Sequence, residues 1–289
     1  MIVSNNWKDY ELIDSGSGEK LERWGEYILR RPDPQAIWPL KDKNGMWAKA
    51  HAHYHRSQSG GGGWEFKSRL PKRWTIKYNE LSFYIEPTGF KHTGLFPEQA
   101  ANWEWIISKI RSALRPVSVL NLFAYTGGAT VAAAYAGAEV CHVDASKGMV
   151  TWAKENLALS GLSDSKVRFI TDDAIKFVQR EIRRGHRYDG IIMDPPSYGR
   201  GPKGEIWKIE DSLYNFIVEC MNVMSDRPVF MLINSYTTGF SPAILNNIVS
   251  LSLKQKLGGY ISCGEVGLPI TSSGLFLPCG IYGRWEAQI

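Results

Sequence analysis

Val117-Ser118-Val119-Leu120-Asn121-Leu122-Phe123-Ala124-Tyr125-Thr126-Gly127-Gly128 decides the fold. An apolar run of strand character (117–123) breaks at a glycine turn, and an alanine-rich segment of helical character follows. The same alternation continues downstream. A strand at 139–143 ends at Asp144, and Ser146 caps a helix that Gly161 closes. A third strand is expected at 166–171, with a helix from about Asp173 to Arg184. A fourth strand at 188–193 runs into Asp194-Pro195-Pro196. A fifth is expected at 229–233, with a helix from Pro242, and two final strands at 260–266 and 275–282. Upstream, Pro97-Glu98 opens a helix with Trp103, Ile106, Ile107, Ile110 and Leu114 on its apolar face, stopped by Pro116. Repeated strand–helix units mean an α/β fold with a mostly parallel sheet covered on both faces. Two closing strands without a helix between them predict an antiparallel edge hairpin on a seven-stranded sheet.

The sequence before residue 90 has a different texture. It is rich in Trp, Pro and Gly, and alternation on either side of the run Gly60–Gly63 predicts a hairpin with a long tip. A further strand is expected at 81–85. The organisation read from this is a small β-rich N-terminal domain (1–90) and an α/β domain (91–289). The chain has 289 residues, a 44% hydrophobic content and a formal net charge of +5, which permits a polyanionic partner without demanding one. No apolar run approaches the ~18 residues of a membrane helix. The start MIVSNNWKDY lacks the pattern of a signal peptide. Cys141, Cys220, Cys263 and Cys279 form no CxxC pair, which argues against a zinc ribbon or a disulfide framework and suits the reducing cytoplasm.

In an open α/β sheet, ligands sit beyond the carboxyl ends of the strands. Four groups of residues fall there: the turn Asn121 to Gly128, Asp144, Asp172-Asp173-Ala174, and Asp194-Pro195-Pro196-Ser197-Tyr198. Asp144 lies where a carboxylate accepts ribose hydroxyls. Each group also has a plainer reading. A glycine turn is often only a turn, and Asp144-Ser146 and Asp172-Asp173 can simply start helices. Two prolines after an apolar strand fix φ and remove two donors, which presents Asp194 rigidly. The four together are more specific than any one. The glycines do not match GxGxxG, so a dinucleotide pyrophosphate is disfavoured, and a sulfonium donor without phosphates suits the looser turn.

This pattern resembles the class I S-adenosylmethionine-dependent methyltransferases, most of all the branch that contains the large-subunit ribosomal RNA cytosine-C5 and guanine-N7 enzymes. The resemblance covers roughly residues 80–240 and implies a Rossmann-like doubly wound sheet. A third mark is His92-Thr93-Gly94-Leu95-Phe96-Pro97-Glu98-Gln99-Ala100-Ala101-Asn102, similar to the branch's KTGxFxDQRxNR segment. Both of that segment's arginines are absent, with Ala100 and Trp103 in their places. The resemblance implies cofactor contacts from Phe96 and Gln99, ribose contact from Asp144 and adenine contact from Asp173 with Ala174. The remaining candidate cofactor residues are Asn121, Phe123, Ala124, Thr126, Gly127, Ser146 and Pro195.

Cytosine-C5 methylation needs a cysteine thiolate as nucleophile. Asp194-Pro195-Pro196-Ser197 and Asn234-Ser235-Tyr236 stand where that cysteine would be, so a nitrogen acceptor is favoured over C5. Asp194 is the candidate to accept a hydrogen bond from an exocyclic amine, and Tyr198 to stack on a base. Arg200, Lys203 and Lys208 flank this loop and are the candidate phosphate contacts. His51, His53 and His55 form a row on one strand. No carboxylate or cysteine lies close to them in sequence, so no metal is assigned, and a solvated face touching an anionic partner is expected. The favoured reading is transfer to RNA, ribosomal by resemblance. Transfer to a protein or small molecule, a nicotinamide-dependent dehydrogenase, and an inactive RNA-binding module are the alternatives, and the oligomeric state is open.

Overall fold

The computed structural model describes residues 1–42, 45–57, 61–200 and 206–288. The chain divides into two compact units. The larger comprises Met1–Ile2, Ala101–Val266 and Gly280–Ile289; the smaller comprises Val3–Ala100 and Gly267–Cys279.

The larger unit is built on β1 (Ser118–Leu122), β2 (Glu139–Asp144), β3 (Val167–Thr171), β4 (Gly190–Met193), β5 (Phe230–Ser235), β6 (Tyr260–Pro269) and β7 (Phe276–Glu286). The sheet order is β3-β2-β1-β4-β5-β7-β6, with a two-residue strand, Ile2–Val3, on the outer edge of β6. The expected seven strands are therefore present, and that short piece makes an eighth. Pairings from β3 through β5 are parallel, whereas β7 runs antiparallel to β5. Strand order reverses between β1 and β4, so this switch point is where a ligand crevice forms.

The helices are α1 (Ala100–Ser112), α2 (Gly128–Tyr135), α3 (Lys147–Leu159), α4 (Ala174–Arg184), α5 (Ile209–Met221) and α6 (Pro242–Val249). The sequence marks Cys220 as helical without giving α5 its bounds, although Ile209, Leu213, Phe216, Ile217 and Cys220 fall at helical spacing and are all buried. Its start carries no side-chain cap, so the usual punctuation is missing. Leu114 is a correction: placed on the apolar face of α1, it lies beyond the helix end, at φ +51° and 93% exposed. A core of this unit gathers Leu120, Leu122, Val143, Ile191, Met193 and Ile233 from one face of the sheet, with Phe177 of α4 and Phe216 of α5 packed on them. Among the described residues, no helix is long and apolar enough to cross a membrane.

The smaller unit carries a five-stranded sheet in chain order, Tyr10–Gly16, Glu19–Trp24, Tyr27–Pro32, Ala52–Arg56 and Gly62–Phe66. The expected hairpin is its last pair, and Gly60 in the expected tip lies outside the described residues. A separate hairpin joins Trp74–Tyr78 to Leu81–Ile85. Inside this unit Arg31 makes a two-pronged contact with the fully buried Glu22, at 2.6 and 2.8 Å, and Tyr10 donates to the same carboxylate at 2.8 Å. Arg31 also donates to the carbonyl of Lys91 at 2.9 Å, which anchors the start of the segment leading to Phe96 and Gln99.

Candidate functional site at the carboxyl edge of the sheet

The chain turns sharply where β1 ends. Phe123 and Tyr125 adopt φ of +54° and +52°, a conformation rare for residues with side chains and concentrated at functional sites. Tertiary hydrogen bonds hold the turn. The N–H of Ala124 donates to the carbonyl of Val143 at 3.0 Å, and the N–H of Tyr125 to Asp144 Oδ2 at 2.8 Å. Asp144 Oδ1 accepts the N–H of Ser146 at 2.8 Å. Both Asp144 oxygens are thus oriented by backbone donors, and each retains accepting capacity. Burial raises this carboxyl above its ordinary range, while the two N–H donors pull it back.

The glycines of the turn serve the packing of the unit itself. Gly127 sits at φ +84° as the N-cap of α2, and a Cβ there would lie 2.9 Å from Cβ of Ala153 on α3. A Cβ on Gly128 would lie 2.7 Å from the Trp103 ring of α1. Asn121 and Thr126 are buried and bonded inward: Asn121 Nδ2 donates to Thr130 Oγ1 at 2.9 Å, and the Thr126 carbonyl accepts from Asn156 Nδ2 at 2.9 Å. Thr130 in turn bonds the ring of His142 at 2.9 Å, and burial lowers that imidazole to about 3, so it stays neutral.

Next along the edge, the N–H of Asp172 donates to the carbonyl of Asp144 at 3.0 Å. Asp173 is the N-cap of α4, its Oδ1 accepting the N–H of Lys176 at 3.0 Å, and Ala174 begins the helix in a buried position. Ser146 caps α3 in the same way, accepting the N–H of Met149 at 3.4 Å. Register places Met193 of β4 beside Leu122 of β1, so Asp194 and Pro195 follow directly beside the turn. The turn, Asp144, Asp173-Ala174 and Asp194-Pro195 therefore form one continuous edge.

After Pro196 the chain forms a small ribbon, Tyr198–Arg200 paired antiparallel with Ile206–Lys208. Alternation gives it two unlike faces. Tyr198, Arg200, Ile206 and Lys208 face solvent, and Arg200 Nε donates to the Tyr198 hydroxyl at 2.8 Å. On the other face Trp207 enters the core, its ring against Phe123 and Phe216 and its Nε1 donating to the carbonyl of Pro196 at 2.6 Å. Sequence reading missed Trp207, and its place between Ile206 and Lys208 in an alternating run was the available signal. Lys203 lies outside the described residues. Ser197 is bonded to Thr237 at 2.7 Å, which ties this loop to the segment after β5.

Phe96 and Gln99 lie in the smaller unit, in the turn leading into α1, with Phe96 half-buried and Gln99 buried. A guanidinium does stand at the start of α1 despite the missing motif arginines. Arg284 of β7 donates to Asn102 Oδ1 at 2.7 Å and to the carbonyl of Ala101 at 3.0 Å, while Asn102 donates to Asn234 at 2.9 Å. The four cysteines are free thiols located in β2, α5, β6 and β7, and none stands in the segments following β4 or β5. The histidine row is a correction. Glu65 stands across the strand pair from His53, so a carboxylate does accompany His53 and His55.

A family model for S-adenosylmethionine-dependent methyltransferases matches residues 45–213. A crystal structure of a SAM-dependent methyltransferase from Agrobacterium tumefaciens is 38% identical, with 99% of this chain and 92% of that one matched at a TM-score of 0.93. The ribosomal RNA large subunit methyltransferase K/L of Shewanella frigidimarina is 36% identical over 130 residues, 44% of this chain and 17% of that protein. Its namesake from a Psychrobacter species is 34% identical over 170 residues, 57% of this chain and 20% of that protein. The chain thus spans about a fifth of the length of these two curated relatives. On the strength of the family match and the near full-length likeness, the chain belongs to the S-adenosylmethionine-dependent methyltransferase family.

Proposed function

We propose that this chain transfers a methyl group from S-adenosylmethionine to a nitrogen atom of RNA, ribosomal RNA in particular. The single observation that carries the RNA reading is the ribbon after Asp194-Pro195-Pro196, which exposes Tyr198, Arg200 and Lys208 on one face beside the strand-end edge. The curated relatives are named for action on large-subunit ribosomal RNA, which supports the same reading. The four free cysteines support a cytoplasmic setting.

The residues present fit the donor. Asp144 is half-buried, orientated through both oxygens, and keeps lone pairs for two hydroxyls. In this reading Asp144 and Ser146 would hold the ribose, Asp173 and Ala174 the adenine, and Asn121, Phe123, Ala124, Thr126, Gly127 and Pro195 the walls of the crevice. When bound, the donor supplies a methyl group activated on a sulfonium.

The chain then has to align the acceptor and exclude water. Asp194 accepts a hydrogen bond from the acceptor amine and directs its lone pair toward the methyl group. Tyr198 gives the target base a stacking surface, and Arg200 and Lys208 fix the adjoining phosphates. Lys203 would add a third cation. The absence of cysteine from the segments after β4 and β5 supports nitrogen over cytosine C5 as the acceptor.

The test is mass spectrometry of ribosomal RNA nucleosides from cells with and without the gene, joined to transfer assays on the unmodified RNA. One methylated nucleoside should disappear on deletion and return with the wild-type gene, but not with Asp194→Ala. An unchanged profile would move the substrate to a protein or small molecule.

A further inference from the structure

We propose that His53, His55 and Glu65 of the smaller unit form a binding site for one divalent transition-metal ion of the zinc class. The proposal stands apart from the methyl-transfer reading.

The strand pairing builds the donor set. His53 and His55 are two apart on Ala52–Arg56 and so share a face, and the neighbouring strand Gly62–Phe66 sets Glu65 opposite His53. The Glu65 carboxylate does not stay with its direct partner. It reaches diagonally to His55 Nε2, at 2.7 Å. The two imidazoles lie against each other with ring centroids 3.9 Å apart. One ligand atom from each of the three residues then falls within 4.8 Å of the other two. Neighbouring ligands around a tetrahedral zinc with bonds of ~2.0–2.1 Å are roughly 3.4 Å apart. Small rotations close the difference, because the His55 and Glu65 side chains are 54% and 55% exposed.

His53 is the fixed member. Its side chain is only 12% exposed, and its Nε2 is paired with Glu19 Oε1 at 2.7 Å. Glu19 is itself held by Arg30 Nε at 3.0 Å, so its charge is already balanced. A carboxylate bracing a metal-binding imidazole from behind is the usual outer support of such sites. Two imidazoles and one carboxylate leave a coordination position open, and imidazole-rich sets prefer zinc, copper, nickel or iron to magnesium or calcium. Metal bound here would pin the two strands together at the edge of the sheet.

The experiment uses the full chain stripped of metal with a chelator, then titrated with ZnCl2 by calorimetry and with CoCl2 by absorption. One equivalent should bind, with visible cobalt bands of nitrogen and oxygen ligation. Glu65→Gln should weaken binding by more than about tenfold, a loss that even an outer-shell partner can bring. The His53→Ala/His55→Ala double variant should abolish it, and His186→Ala should leave it unchanged. Circular dichroism checks that each variant is folded; Glu65→Gln preserves shape at an exposed position, so it decides the matter alone if the double variant unfolds. Equal affinity in wild type and Glu65→Gln would overturn the proposal. So would thiolate-to-cobalt charge transfer, which would put the metal on cysteine.

Discussion

Trp207 is the point at which packing and function are joined, and replacing it separates the two. The side chain is 8% exposed and touches Phe123 and Phe216 with ring centroids at 5.7 Å each. Truncating a buried tryptophan to alanine costs about 3–5 kcal/mol. The hydrogen bond from Nε1 to the carbonyl of Pro196 is a small part of that. Pro196 is exposed, so water replaces the lost donor and the net loss is about 1 kcal/mol. Trp207→Phe keeps a ring in the core and forfeits the N–H, so it should cost about 1–1.5 kcal/mol. At roughly 2–4 °C per kcal/mol, the alanine variant should melt about 6–20 °C lower. Urea unfolding followed by circular dichroism measures the stability, and transfer to RNA is assayed at a temperature where both variants are folded. Because Trp207 is the ribbon side chain that enters the core beneath Tyr198, Arg200 and Lys208, kcat/KM for RNA should fall more than about tenfold in Trp207→Ala, or ~1.4 kcal/mol of lost positioning. Affinity for S-adenosylhomocysteine should stay close to wild type. A Trp207→Ala protein that loses less than about 1 kcal/mol of stability and keeps wild-type kcat/KM would refute the anchoring argument.

The remaining predictions concern the edge, the ribbon and the smaller unit. Asp144→Asn turns an amide NH2 toward one of two backbone N–H donors, so calorimetry should show S-adenosylhomocysteine affinity down more than about tenfold together with a stability loss of about 1–3 kcal/mol. Gly127→Ala puts a Cβ at φ +84° and 2.9 Å from Ala153, and thermal melts should show at least ~1–2 kcal/mol of destabilisation. Arg200→Glu and Lys208→Glu should each weaken RNA binding and reduce the slope of log affinity against log salt by about one; unchanged slopes would remove these residues from the interface. Burial alone would raise the Glu22 carboxyl, but Arg31 and Lys20 outweigh it and hold it at about 2 against an ordinary 4.5. Its stabilising contribution is therefore present above pH ~4.5 and is lost as pH falls toward ~2. Acid titration of Glu22→Gln, already weaker by about 3–5 kcal/mol at neutral pH, should lack that portion of the acid transition.

The parallel sheet was legible because the central strands β1, β4 and β5 are buried on both faces, so their apolar runs stand out against the helices between. The closing hairpin was legible because nothing helical separates β6 from β7. What escaped has identifiable physical reasons. Helix α5 begins at Ile209 with no capping side chain, directly after the ribbon strand, so no punctuation announces it. Leu114 matched the period of α1 but falls where the chain has already left the helix for a left-handed conformation ahead of Pro116. Glu65 was invisible as a companion of the histidines because register, not sequence distance, sets it beside them. The guanidinium at the start of α1 comes from Arg284, far along the chain, for the same reason.

The candidate site could be marked from sequence at the strand ends but not divided into structural and functional parts, and the geometry explains why. At the carboxyl end of a parallel strand the backbone must turn into a helix, and that turn exposes N–H groups needing acceptors. Asp173 and Ser146 meet this need as helix caps, and Asp144 meets it by closing the turn at Tyr125 and the loop at Ser146. Each carboxylate or hydroxyl so used keeps lone pairs that can accept from a further donor. The capping role therefore orients the group and costs it little of its binding capacity. The glycines divide the other way. Gly127 and Gly128 are filled against Ala153 and Trp103, so their lack of side chains is accounted for by helix packing. The strained, side-chain-bearing positions Phe123 and Tyr125 are the ones for which packing gives no such account. The left-handed backbone at these two positions is held by tertiary hydrogen bonds from Ala124 and Tyr125.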